Sequence, residues 1–99
     1  MILVSLLLIA ATATPNLAPQ QAALACVISE TDRLANDPKQ TAELRRWTRW
    51  EATRLLWSTA GDSPKCAAAF KQTQLTVEDS NAAYRHADRL VVGKHLYRK

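Results

Sequence analysis

Cys26 and Cys66 are the only thiols in the chain, and they stand 40 residues apart. Their constraint is strong because little else in the sequence can hold a core together. From Thr14 to Lys99 there are nine Leu, four Val, one Ile and one Phe, with fourteen Ala supplying small apolar surface. So low a share of large aliphatic residues is near the level at which chains fail to order, and a short domain hides only a modest part of its surface. Joining the two cysteines closes a long loop and restricts the unfolded chain by roughly 4 kcal/mol, comparable with the whole stability of a small domain. The three Trp residues are expected to supply the remaining bulk, since each carries a large apolar area. A metal site is a poor alternative, because two cysteines and two distant histidines lack zinc-ligand spacing. No cofactor is expected.

A disulfide implies an oxidising compartment, and the N-terminus agrees. None of the first 29 residues is charged. The apolar run starting at Ile2 extends over about a dozen residues, too short for the roughly twenty needed to cross a bilayer and suited to the apolar part of a secretory signal. Ala11-Thr12-Ala13 places small residues where a signal peptidase reads, although no Lys or Arg precedes the run. Residues 1–13 are therefore expected to be a signal peptide, and 14–99 a single domain that is periplasmic or secreted. Competing readings are an uncleaved N-terminal anchor, a buried first helix, and lipidation of Cys26 after Ala23-Leu24-Ala25.

The hydrophobic pattern is helical throughout, with no useful stretch of period two. Leu24, Val27, Ile28, Thr31, Leu34 and Ala35 form one stripe on a helix expected from about Pro19 to Ala35. Asp37-Pro38 with Gln40 reads as a helix start. The second helix is expected to continue to Ser58 or Ala60, with Gly61 as its C-cap. Asp62-Ser63-Pro64 repeats the start signal for a third helix carrying Cys66. Thr76 with Asp79 caps a fourth helix through Val92, unless the third simply continues. Residues 94–99 read as a basic, frayed tail. Short loops favour antiparallel neighbours, so the expected fold is all-α, a small bundle of three to four antiparallel helices with one disulfide.

The segment from Arg45 to Trp57 holds four Arg and three Trp. On one continuous helix Trp50 lies a turn from both Arg46 and Arg54, so either guanidinium can stack on the indole. Trp47, Trp50 and Trp57 share an arc with Leu44 and Leu55, while Arg45 and Arg49 project from the opposite side. The plain reading makes these Trp residues core and the Arg stems its cover. Glu43, Glu51 and Arg54 interrupt the same arc, however, so part of the indole surface is expected to face a partner. Arg46, Trp47, Arg49, Trp50, Arg54 and Trp57 are the candidate binding residues. The partner is either a protein, since Trp and Arg dominate binding hot spots, or an anionic membrane surface.

Catalysis is not expected. Only Gly61 and Gly93 occur, so no glycine-rich loop can cradle a nucleotide phosphate. His86 sits in a stretch, Tyr84 to Arg89, that resembles a solvated helix face, and Glu78-Asp79 read as first-turn acids. Nucleic acid is an improbable partner outside the cell, and no small-molecule substrate is indicated. The expectation is an exported, non-enzymatic binding or accessory protein of a bacterial envelope, or a membrane-surface protein using the same helix and the basic tail. Intact mass of the secreted product should lack residues 1–13; a mass retaining Met1 overturns the cleavage expectation.

Overall fold

The computed structural model describes residues 17–99, and the expected signal segment lies outside them. Among the described residues there are five helices and no strand: α1 (Leu17–Leu34), α2 (Pro38–Leu44), α3 (Arg49–Gly61), α4 (Pro64–Phe70) and α5 (Val77–Gly93). Three of the starts follow the sequence signals closely. Asp37 accepts from the Gln40 N–H at 3.3 Å, Ser63 from Cys66 at 3.3 Å and Thr76 from Asp79 at 3.1 Å. Each satisfies a backbone donor that the first turn leaves without a partner. Pro38 and Pro64 occupy the first helical position, where a missing N–H costs nothing.

The single second helix expected from Pro38 to about Ala60 is instead two. α2 stops at Leu44, where the Arg46 and Trp47 amides turn back onto the carbonyls of Glu43 and Leu44. Thr48 then opens α3 with extended backbone angles. Thr48 and Glu51 have the spacing of a capping box, but here the Thr48 hydroxyl donates to the Glu51 carboxylate at 2.5 Å rather than capping the backbone. The restart resets the helical phase, turning Ala52, Thr53, Leu56 and Ala60 inward.

Helix ends differ from expectation as well. Gly61 is the last residue of α3 and Asp62 is its C-cap, in right-handed conformation. The left-handed position among the described residues is His95, at φ 55°. It follows α5, where His95 N–H donates to the Val92 carbonyl at 3.3 Å and Leu96 N–H to Val91 at 2.8 Å. This is a Schellman closure, completed by apolar contact between its two ends, and Val91 and Leu96 are both buried. The tail expected to fray is therefore held in place. Leu96 is 2% exposed, and the Arg98 N–H donates to the Trp47 carbonyl at 2.6 Å.

Cross-helix pairs give the directions of the long helices. Arg49 and Thr53 reach Asp88, and Trp57 meets Tyr84, so α3 and α5 run antiparallel. Asp32 meets His86 and Asn36 meets Lys94, so α1 and α5 run parallel. Each of the three long helices therefore runs antiparallel to the next, and the first and third are parallel. α1, α3 and α5 pack on one another, α2 rests on α3, and α4 is placed against α1 and α3.

The core is built of small residues. Among the described residues, six of the thirteen buried apolar ones are alanines, which let helices approach closely while contributing little area each. Its largest fully buried members are Leu44, Leu56, Leu96, Val27 and Val91, and no Trp is fully buried. Buried Thr31 returns its hydroxyl to the Val27 carbonyl at 2.6 Å, and Thr53 donates to Asp88 at 3.1 Å, so both are satisfied. Cys26 on α1 and Cys66 on α4 are joined as expected, with Cα atoms 5.5 Å apart. Cys66 is fully buried.

Two outcomes follow for stability. The Cys26→Ser/Cys66→Ser double variant should lose roughly 4 kcal/mol in denaturant titration; an unchanged midpoint contradicts the account of the core. Leu56→Ala should cost about 2–5 kcal/mol, whereas Trp50→Ala at an exposed position should stay within about 0.5 kcal/mol.

Candidate binding surface

The break between α2 and α3 decides where the Arg/Trp segment goes. Trp47 falls in the turn and is 39% exposed, while Trp50 occupies the first turn of α3 and is 58% exposed. The plain expectation that both fill the core is overturned, because the reset phase gives the inward positions to Ala52, Thr53 and Leu56. Trp57, two turns further along, is half-buried and stands edge-on to Tyr84, with ring centroids 5.9 Å apart.

The two exposed indoles are nonetheless fixed. Arg49 forms a two-point pair with Asp88 of α5, at 3.1 and 2.8 Å. Its guanidinium also lies over the Trp50 ring, 4.4 Å from the centroid. Asp88 thus anchors Arg49, and Arg49 anchors Trp50. Neither Arg46 nor Arg54 is the stacking partner expected for Trp50. Arg46 lies in the turn and pairs with Glu43 at 3.4 Å. The same Glu43 accepts the Trp47 indole N–H at 3.1 Å, and the Trp47 carbonyl receives the tail at Arg98. Polar partners therefore hold these rings where apolar packing does not.

Two open grooves flank this region. A groove of about 380 Å³ is lined by Glu43, Trp47, Glu51, Arg54 and Leu55, which places Arg54 beside Trp47. A second, of about 710 Å³, is lined by Trp57, Val27, Phe70 and Leu75 among others. The six candidate residues accordingly divide. Arg46, Trp47, Arg49 and Trp50 share one end of the molecule, Arg54 borders them, and Trp57 belongs to a separate groove. Sequence reasoning missed the attachment of Arg98 to Trp47, which depends on the left-handed turn at His95. It also missed Asp88 and Glu43 as the partners that orient the rings.

His86 pairs with Asp32 of α1 at 2.7 Å. Neither His86 nor Asp32 lines either groove. Among the described residues no group of three His, Cys, Asp or Glu side chains is placed to hold a metal ion.

Two carboxyls are held below their ordinary pKa. For Asp88 the hydrogen bonds from Arg49 dominate over desolvation, with Thr53 adding to them. For Glu30 the hydrogen bonds from Arg33 outweigh its burial. A depressed folded-state pKa stabilises the fold above the unfolded value and is lost as pH falls through the folded one. Melting temperature should therefore decline below about pH 4, and Asp88→Asn should flatten that decline while lowering the value at pH 7. An acid limb unchanged in Asp88→Asn contradicts the assignment. No known protein family, curated protein or solved structure matches the chain.

Proposed function

We propose that this chain is an exported, non-enzymatic binding or accessory protein of a bacterial envelope, meeting an acidic partner through the α2–α3 turn, the first turn of α3 and the tail. The observation that carries the reading is Trp50, an indole left 58% exposed yet held by Arg49, itself fixed by Asp88. Exposed apolar patches, unlike single exposed side chains, mark contact sites; Trp47 and Trp50 are both exposed at this end, and a ring fixed in advance loses less entropy on binding. Trp and Arg are also the residues that dominate binding energy at interfaces.

The scaffold supporting this face reads as a three-helix bundle of α1, α3 and α5, with α2 and α4 as connectors. Export is the reading that agrees with the Cys26–Cys66 bond and with residues 1–13 as a signal. No helix among the described residues is long and apolar enough to cross a membrane. A non-enzymatic role agrees with the position of His86 and Asp32, whose pair lies outside both grooves.

The test uses oxidised protein of residues 14–99 immobilised against envelope extract, beside the Trp50→Ala variant. Capture that disappears in Trp50→Ala is expected. Equal capture by both proteins, or none by either, removes the proposal.

A further inference from the structure

The geometry points to an anionic lipid bilayer surface as the partner of this face, an inference that rests on the reading of the face as a contact surface. Its first support is charge. The turn after α2 brings Arg45 and Arg46, and the Schellman closure of α5 folds Lys94, Arg98 and Lys99 to the same end. Of the carboxylates here, Glu43 is paired with Arg46 and Asp88 with Arg49, while Glu51 takes only the neutral Thr48 hydroxyl and Asp37 only the Gln40 backbone N–H. Among the described residues Arg45, Lys94, Arg98 and Lys99 form no ion pair. Lys94 donates instead to the neutral Asn36 amide at 2.8 Å. The end is left positive, because these four cations outnumber Asp37 and Glu51, the carboxylates here that form no ion pair.

The second support is the kind of apolar surface. Four large apolar residues are exposed among the described residues; Trp47, Trp50 and Val92 belong to this end, and only Val77 to the other. Indoles suit the headgroup level of a bilayer, where one part of the ring is dry and another wet. The way the cations are held argues for lipid over an acidic protein. Recognition of a single protein carboxylate favours a rigid two-point arginine fork. Here the fork that the fold holds in a two-point pair, Arg49, is already engaged by Asp88, while the uncompensated cations, two arginines and two lysines, are spread over a turn and a tail on long stems. That arrangement matches a diffuse anionic surface, whose attraction accumulates over several cations near it.

The experiment is co-sedimentation of oxidised residues 14–99, which contain every core residue described above, with phosphatidylcholine vesicles with or without phosphatidylglycerol. Binding to the phosphatidylglycerol vesicles at low salt should exceed binding to the neutral ones by about tenfold or more. It should be largely released in about 0.5 M salt, where screening acts over a few ångströms. Arg45→Glu/Arg98→Glu, which keeps the Arg98 backbone donor, should lose about tenfold. Lys71→Glu/Arg85→Glu, an equal charge reversal elsewhere, should change binding by less than about threefold. Trp emission should shift to the blue on the vesicles, and less so in Trp50→Ala. No preference for phosphatidylglycerol overturns the lipid inference, and Trp50-dependent capture of a protein would then leave the contact face standing. Vesicle binding weakened equally by both charge reversals overturns both the inference and the face.

Discussion

The covalent bond between Cys26 and Cys66 joins α1 to α4 across a fold whose apolar interior is thin. Nearly half of the buried apolar residues are alanines, and the indoles that could have thickened the core are partly or largely outside it. Alanine-lined helices approach closely, so dispersion contacts are good for the area involved, but the area itself is small. A cross-link that closes a long loop acts on the unfolded chain and so needs no additional buried surface. Its α4 end is fully buried and begins at a capped turn. The bond therefore ties the two-turn helix α4 to the long helix α1.

The Arg/Trp region is organised by a different kind of force. α2 and α3 are separated by a turn whose restart at Thr48 leaves Trp47 and Trp50 without core neighbours to orient them. Hydrogen bonds and a stacked guanidinium do so instead. Arg49 joins two elements and a ring, since it belongs to α3, pairs with Asp88 on α5 and covers its own neighbour Trp50. Charge and shape at this end are consequently linked: protonating Asp88 would loosen the arginine that holds the ring.

Much of the scaffold was legible in the residues because its signals are local. Asp37-Pro38, Ser63-Pro64 and Thr76 with Asp79 specify helix starts through side chains within one turn, and the cysteine pair was legible from count and context. The break at Arg45–Thr48 was missed although Thr48 and Glu51 have capping-box spacing, because Trp47, Trp50 and Trp57 share an arc with Leu44 and Leu55 on one continuous helix. That error propagated, since a wheel drawn through the break placed Trp47 and Trp50 inward and Arg49 on the wrong side. The tail was misread for another reason. Its order depends on His95 adopting a left-handed conformation and on Leu96 folding back onto Val91, and a histidine does not announce that role as a glycine would.

The parallel course of α1 and α5 has a practical geometric consequence. Leu17 lies at the start of an eighteen-residue helix that extends about 27 Å, while Lys99 belongs to the end occupied by Trp47 and Arg98. A fusion partner or affinity tag appended after Lys99 would shadow the aromatic face, whereas one attached ahead of Leu17 would stand a helix length away and leave it open.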